Sequence, residues 1–567
     1  MEQSNEPKTL YRAGRIDISA IGSDAQLRLG DLNGDGRLEI VALQPDSGID
    51  DQFLPHSLSA AIAYTLEGEV LWQLGTPDTS SSACPTDLPA QIYDIDRDGM
   101  NEFICVMDGM LCIYDGKTAE LKRQIELPDP QAHDCIIIAD VEGKGYPQNL
   151  ILKNRFHQLW VLDSNFNVLW TYKGNIGHVP VACDLNGDGR DEIIAGKVIL
   201  SADGEVLTAF DLPDFPQSIY VGSILSETQT EQTVILLGGK GTAAYSASGE
   251  LLGRLKTPSD TDQLTIGSFR GGQTVQFAGF YADHGDDSPG SGIFLTDYRG
   301  NTLFKEGRSE LTPEVQIQTI YNFDGEYRDM LLLSRRSGAA AGIFDGYLNP
   351  LYLLPEDGSA ICADLLGDGI PQILVTHNGI AELYSASPVE LGKPVVPYSR
   401  PQPQSLYNET IFSCRVCDPS RNALLLATAA TEHYDDIFSW AEAAALDPAG
   451  DTPISRADFL ILMTTALNLH AYDADGYSDV SPRDYYYDAV STIKKLGYMD
   501  EVVGRFNPQL AATAEFADQI LKKADITPIT VKSGADELTR TDAAKFVLQI
   551  RTQKNESTQD TPRKEEE

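Results

Sequence analysis

The 567-residue sequence predicts a mainly β fold, a β-propeller of eight blades or of seven, followed by a small all-α domain. Three observations predict it. A unit of about 48 residues recurs along the first two thirds of the chain, a loop rich in Asp, Asn and Gly opens the clearest copies, and the apolar spacing becomes helical after residue 430.

The repeat defines the blades. Three degenerate copies lie between the last two of five clear copies, which begin near Asp31, Asp94, Asp140, Asp184 and Asp364. The second half of each unit has a polar turn between two strand-like segments, as a hairpin requires. The eighth unit ends early, and a strand near residues 9–19 would complete it. Such a strand closes the ring and removes the exposed sheet edges.

The domain boundaries follow from changes in composition. A Pro-rich stretch after residue 385 is typical of an extended linker, and a charged C-terminal segment without apolar residues is typical of disorder. We therefore expect a propeller over 1–395, a linker over 396–429, a helical domain over 430–551 and a disordered tail over 552–567.

Charge and hydropathy exclude several classes of partner. The formal net charge of −41 argues against nucleic acid, because phosphate contacts require clustered Lys and Arg. No apolar run is long enough for a transmembrane helix. The first 17 residues lack the apolar segment of a signal peptide, which indicates an intracellular protein or one whose leader has been removed. The eight cysteines are sparse and favour free thiols over disulfides.

The recurring loops predict calcium sites. In the pattern D-x-[DN]-x-D-G-x-x-E, positions 1, 3, 5 and 9 place oxygen donors around one point, which suits a hard cation that takes six or more oxygens. The alternative is that Asp, Asn and Gly only form turns. Copies ending in Gln148 and Gln372 lose donors and should hold their turn without metal. The intact copies predict as ligands Asp31, Asn33, Asp35, Glu39, Asp94, Asp96, Asp98, Glu102, Asp184, Asn186, Asp188 and Glu192.

The loops with their flanking strands resemble the FG-GAP or VCBS repeats of integrin-like propellers, and residues 133–196 resemble the propeller of rhamnogalacturonan lyases. The second resemblance implies calcium-bearing blades and cleavage of pectin backbones by β-elimination. Such a reaction needs a base and a positive group that neutralises a uronate carboxylate. A lone His at a strand end is more often structural. The candidates are His133, Lys153, Arg155, Lys173, His178 and His284.

The helical segment, residues 430–551, resembles S-layer homology modules. This resemblance implies binding of cell-wall polysaccharide through Arg456 with Asp458, Arg540 with Asp542, and the aromatic side chain of Trp440. A middle copy has Ala514 in the place of the Arg. The alternative is helix capping alone, because Ser455 and Thr539 each precede an acid by three residues.

Three functions follow. The first is a non-catalytic, calcium-stabilised propeller at the cell surface or secreted, which binds a glycan or a protein and is anchored to cell-wall polysaccharide. The second is a surface-anchored calcium-dependent polysaccharide lyase acting on rhamnogalacturonan or another polyuronate. The third is an intracellular scaffold, which calcium loops of extracellular type disfavour.

Overall fold

The computed structural model describes most of the β region and much of the helical region. The described residues are 6–391, 414–416, 441 and 453–559, without 24, 36, 47–53, 80–86, 146, 226–230, 255–259, 271–275, 283–290, 298–301, 309–314, 322, 325–328, 335–339, 367–369, 390, 468, 470–476, 481–485, 500–504, 509 and 528–535. His284, Trp440 and the side chain of Arg540 therefore lie outside what the structure describes.

Hydrogen bonds group the strands of the described residues into seven sheets. The largest has eight strands, but it consists of two four-stranded meanders joined through one parallel bridge between Leu58 and Met107. The described strands therefore form eight antiparallel units of four, called blades 1 to 8 below, and the eight-bladed alternative of the prediction is the one observed.

Blades 1 to 4 follow each other along the chain. Their strands are β2 (Gln26–Gly30), β3 (Glu39–Pro45), β4 (Leu58–Tyr64) and β5 (Val70–Gly75); β6 (Ala90–Tyr93), β7 (Glu102–Met107), β8 (Met110–Asp115) and β9 (Leu121–Glu126); β10 (Ile136–Ala139), β11 (Asn149–Lys153), β12 (Gln158–Leu162) and β13 (Val168–Lys173); β14 (Val181–Cys183), β15 (Glu192–Ala195), β16 (Val198–Leu200) and β17 (Val206–Ala209).

Blades 5 to 7 repeat this order, and blade 8 takes its outermost strand from the N-terminus. The strands are β18 (Ser218–Leu225), β19 (Glu231–Gly238), β20 (Ala243–Ser246) and β21 (Leu251–Arg254); β22 (Asp260–Gly267), β23 (Gln276–Ala282), β24 (Ser291–Asp297) and β25 (Thr302–Arg308); β26 (Gln316–Tyr321), β27 (Asp329–Ser334), β28 (Gly342–Phe344) and β29 (Pro350–Leu353); β30 (Ser359–Ala363), β31 (Gln372–His377), β32 (Ile380–Ser385) and β1 (Tyr11–Asp17).

Packing between blades closes the ring. Apart from Tyr347, which belongs to the cluster of the helical region, the described buried apolar side chains of the β region form eight clusters, and each joins two neighbouring blades. One of them joins blade 8 to blade 1 and includes Ile16 of β1, Leu27 of β2 and Leu374 of β31. The predicted N-terminal strand is confirmed, because β1 pairs with β32 from Tyr11 to Asp17.

Strand position within a blade explains the apolar pattern. The second strands β7, β11 and β15 are buried along their whole length, because a neighbouring blade covers each face. The fourth strands β9 and β13 are largely exposed. The first strands contact one another in most pairs of neighbouring blades, for example β2 with β6 and β22 with β26, and the loop from first to second strand leaves from this inner position.

One further strand enters the ring from the predicted linker. Strand β33 (Cys414–Val416) pairs in parallel with β18, from Ile219 to Val221, and also contacts β14. It therefore lies between the innermost strands of blades 4 and 5. The sequence did not predict it, because three residues carry no periodicity that can be recognised.

The helical region contains four helices in its described residues: α1 (Arg456–Leu467), α2 (Tyr487–Lys495), α3 (Ala514–Lys523) and α4 (Arg540–Gln559). Phe459 packs edge-on against Phe516 and Phe546, and single β-bridges connect the segments that precede α1, α3 and α4. Helix α4 includes residues 552–559, which the sequence assigned to the tail. None of the described helices is both long enough and apolar enough to cross a bilayer.

Candidate functional site

An acceptor side chain at the start of the second strand organises each acidic loop. The Oε2 atom of Glu39 accepts a hydrogen bond from the Leu32 N–H at 2.8 Å, and Glu192 accepts one from the Leu185 N–H at 2.9 Å. In blade 2, Glu102 accepts from the Ile95 N–H at 3.0 Å. The last position of the motif therefore holds the loop closed with or without an ion.

The two copies that lack a terminal acid keep this contact. In blade 8, Gln372 accepts hydrogen bonds from the N–H groups of Leu365 and Leu366 at 2.9 and 3.2 Å. In blade 3 the acceptor is Asn149, which bonds the Glu142 N–H at 3.3 Å. Counting along the sequence assigned this position to Gln148, but β11 begins one residue later, so that assignment is wrong.

The loop of blade 1 concentrates negative charge around a buried carboxyl. Asp31 accepts hydrogen bonds from the N–H groups of Gly34 and Asp35 at 2.7 and 3.1 Å, which curls the loop around its side chain. Burial and the charges of Asp35 and Asp31 raise the pKa of Glu39 to about 8, against the opposing hydrogen bond from Leu32. A cation among these oxygens would relieve the repulsion between the carboxylates.

The loop of blade 4 has the same geometry. Asp184 accepts from the Gly187 N–H at 2.8 Å and Asn186 accepts from the Asp188 N–H at 2.8 Å. Burial raises the pKa of Glu192, and the charges of Asp188 and Asp184 raise it further.

The loop of blade 2 differs, because a lysine from the outermost strand lies among its carboxylates. Asp94, Asp96 and Glu102 offer oxygens within 4.8 Å of one another, a group that could hold a metal. The ammonium of Lys122 lies 2.6 Å from Asp96 and 2.7 Å from Glu102. Burial would lower the pKa of Lys122, but hydrogen bonds to the surrounding carboxylates raise it above its usual value.

A second charged cluster lies at the ends of β10 and β11. Lys153 is fully buried and donates to Asp134 and, at 2.7 Å, to the carbonyl of Arg155. Arg155 donates to the two carboxylate oxygens of Asp134 at 3.3 and 3.4 Å. Two buried cations therefore share one buried carboxylate.

The cluster continues into an aromatic group. The guanidinium of Arg155 lies 4.9 Å from the Phe156 ring centre, and Phe156 contacts the His178 ring edge-on at 5.3 Å. Phe215 completes the group at 5.5 Å from His178. The structure therefore brings together three of the six predicted catalytic candidates, namely Lys153, Arg155 and His178.

The other three candidates have different positions. His133 precedes Asp134, is partly buried, and has a pKa lowered by burial. Lys173 is exposed at the end of β13, where it is paired in register with Gln158. His284 lies outside the described residues.

Sequence reasoning missed the acids that hold this cluster. Asp134 is buried, as is Asp87, whose pKa is raised to about 6 by burial against the opposing charge of Arg28. Arg28 itself donates to the carbonyls of Ala90 and Leu88 at 2.9 and 2.8 Å. These residues come from the starts of different blades, so no local motif connects them.

The buried imidazole predicts acid sensitivity. Burial, with the charges of Arg155 and Lys153, lowers the pKa of His178 from 6.5 to about 3. As the pH falls, the unfolded chain therefore takes up this proton first. The contribution of His178 to the free energy of unfolding is unchanged above pH 6.5. It falls by about 1.4 kcal/mol for each pH unit as the pH is lowered from 6.5 to 3.

Chemical denaturation of the wild type and of His178→Phe over this pH range measures the effect. The variant keeps an aromatic ring against Phe156 and Phe215 and should have the shallower dependence. Equal slopes in the two proteins would contradict the assignment.

The helix starts of the C-terminal region show capping pairs. Ser455 and Asp458 exchange hydrogen bonds, the Asp458 N–H donating to Ser455 at 3.0 Å, and Asp542 accepts from the Thr539 N–H at 3.0 Å. The guanidinium of Arg456 lies 5.2 Å from the Phe516 ring centre. Capping explains both acids but does not require Arg456.

The strand arrangement and the eight inter-blade clusters define the class of protein: the β region is an eight-bladed propeller. No family model matches the chain. It is 24% identical over 236 residues to rhamnogalacturonan exolyase YesX of Bacillus subtilis (strain 168), a match covering 31% of this chain and 38% of the relative's length.

Two solved structures give a similar result. The chain resembles the exotype rhamnogalacturonan lyase YesX at 16% identity and a TM-score of 0.49, over 71% of this chain and 80% of the other. It also resembles the V. cholerae biofilm matrix protein Bap1 at 12% identity and a TM-score of 0.46, over 69% of this chain and 92% of the other. These likenesses concern the fold alone.

Proposed function

We propose that the chain is a non-catalytic, calcium-stabilised propeller that binds a polysaccharide or a protein at the cell surface. In this proposal its helical domain, which resembles S-layer homology modules, anchors it to cell-wall polysaccharide. The proposal that the protein is not catalytic rests on the environment of Lys153 and Arg155. Both are buried and both contact Asp134.

A uronate lyase needs positive charge that the substrate carboxylate can reach. Lys153 is fully buried, and only 5% of Arg155 is exposed. Breaking a buried ion pair costs several kcal/mol, so neither cation is easily released to a substrate. Lys173 is exposed at the end of β13, an outermost strand, and is not one of the two cations that contact Asp134.

Calcium has a structural role in this proposal. The loops of blades 1 and 4 each carry three carboxylates and one amide between the first and second strands. Burial and the charges of the neighbouring aspartates raise the pKa values of Glu39 and Glu192, and an ion there would offset the repulsion between the carboxylates. It would fix these loops for ligand binding without a role in bond cleavage.

The anchoring role rests on the helix starts. Arg456 is not part of the Ser455–Asp458 cap, and its guanidinium lies over Phe516 and donates to the Phe506 carbonyl at 3.3 Å. Phe506 and Phe516 are buried, so the half-buried guanidinium of Arg456 is the group here that would donate to sugar hydroxyls. Trp440 and Arg540 belong to the same proposal, as does a location at the cell surface.

Thermal unfolding of the full chain with excess calcium and with chelator tests the metal. Calcium at a hundred times its dissociation constant should add about 2.7 kcal/mol per site to the free energy of unfolding. The unfolding temperature should therefore be higher in calcium than in chelator. Magnesium is the matched control, because it demands a stricter octahedral geometry than these loops supply. Identical unfolding temperatures in calcium and chelator would exclude the structural role.

The second candidate is a polysaccharide lyase, which the similarity to the exolyase YesX favours. The same protein should be incubated with rhamnogalacturonan and polygalacturonate, and unsaturated products followed by ultraviolet absorbance. The first proposal expects binding to insoluble cell walls and no product. If the wild type forms product, and if Lys153→Met forms none while Lys173→Met still does, the lyase replaces the non-catalytic protein as the proposed function. An intracellular scaffold would show neither wall binding nor product.

A further inference from the structure

Lys122 lies where an ion would lie in the loop of blade 2. Its Nζ atom is 2.6 Å from Asp96, 3.0 Å from Asp98 and 2.7 Å from Glu102. Glu102 has no exposed surface, so its charge depends on a partner within the protein. The ammonium has three donors, and each carboxylate takes one contact.

This lysine is specific to blade 2. In each of blades 1 to 4 the fourth strand begins opposite the end of the third strand, at a register shift, and the residue that follows is the structural counterpart of Lys122. The counterparts in blades 1, 3 and 4 are Leu71, Leu169 and Leu207. An aliphatic side chain cannot neutralise the carboxylate charges of a loop.

The basic residues of the other two intact loops point elsewhere. In blade 1, Arg37 contacts Asp35 at 3.1 Å and Glu67 at 2.8 Å, on the exposed side of the loop. In blade 4, Arg190 pairs with Asp203 at 2.6 Å. Neither contacts the buried glutamate of its loop in these ion pairs, in contrast to Lys122.

We propose that blade 2 supplies its own cation. The ammonium of Lys122 takes the place of calcium in this loop, so the ions go to blades 1 and 4, and blade 2 binds calcium only weakly. The inference rests on the proposed calcium sites and divides them into two kinds. Blade 2 then keeps its loop geometry at calcium concentrations that leave blades 1 and 4 empty.

Two physical effects favour the lysine over a free ion. Because the ammonium is tethered to β9, its effective concentration at the loop is far above that of free calcium in most surroundings. A calcium ion would also have to displace Lys122 from three carboxylates, and it would leave a positive side chain beside itself. The loss of affinity should therefore be large, about a hundredfold relative to the loops without a lysine.

Calcium titration of the full chain by calorimetry and equilibrium dialysis tests this division. The wild type should bind two ions tightly. Lys122→Leu introduces the residue type found at this position in blades 1, 3 and 4, and this variant should bind three ions. Leu207→Lys, the reciprocal change in blade 4, should bind one. Lys117→Leu removes an exposed lysine of the same blade and should still bind two.

Thermal unfolding gives a second readout. In chelator, Lys122→Leu should unfold several degrees below the wild type, because Glu102 and Asp96 lose their partner, and calcium should restore the difference. The same number of ions in the wild type and in Lys122→Leu, with at least one bound, would overturn the inference and leave the calcium role standing. No bound ion in any of the proteins would overturn the calcium role itself and the inference with it.

Discussion

Replacing Asp134 with alanine should destabilise the protein by about 3–5 kcal/mol, the largest effect expected of one substitution here. The carboxylate is buried and contacts two buried cations, Lys153 and Arg155. Without it, two positive charges stay in a dry environment without their shared counter-charge. Urea unfolding at neutral pH, followed by tryptophan fluorescence, measures the loss.

The matched control for Asp134 is an ion pair at the surface. Asp203 pairs with Arg190 at 2.6 Å, but 71% of its side chain is exposed. Asp203→Ala should therefore cost less than about 1 kcal/mol. If Asp134→Ala cost no more than Asp203→Ala, the buried cluster would not be the stabilising network described above. Asp134→Ala with Lys153→Met should recover part of the loss, because one unpaired cation is removed.

Ile16→Ala should cost about 2–5 kcal/mol, the second largest effect. Only 2% of Ile16 is exposed, and it belongs to the apolar cluster that joins blade 8 to blade 1. Strand β1 brings the N-terminal segment into the last blade. A cavity there weakens the closure of the ring as well as local packing.

Tyr11 serves as the control for Ile16, because it lies on the same strand and is 46% exposed. Tyr11→Ala should change the free energy of unfolding by less than about 0.5 kcal/mol. Hydrogen exchange distinguishes ring closure from general loss of stability. In Ile16→Ala, the amides of β1 and β32 should exchange faster than those of blade 4, and uniform exchange across all blades would contradict the closure role.

The sequence predicted the repeat, the number of strands per unit and the N-terminal strand, because these features rest on local alternation and on spacing. It failed where the register mattered. One additional residue before β11 moved the loop acceptor from Gln148 to Asn149, and counting along the chain could not detect the shift.

The site was predicted less completely than the fold. Lys122 lies 20 residues beyond Glu102 in the chain and reaches it only because β9 folds back beside the loop. Asp134 and Lys153 meet in the same way, across the hairpin of β10 and β11. Pairings of this kind depend on tertiary packing, and neither Lys122 nor Asp134 belongs to a sequence motif. The domain boundaries, the wall-binding residues and the location in the cell stay predictions.

Strand β33 has a mechanical consequence. It belongs to the segment between the propeller and the helical region, and it pairs with β18 of blade 5. If the helical region is held and the propeller is pulled, tension along the chain reaches β33 before it reaches β32, the strand that closes the ring with β1. The short parallel pairing of β33 with β18 would therefore break first, and the pairing of β1 with β32 would stay intact.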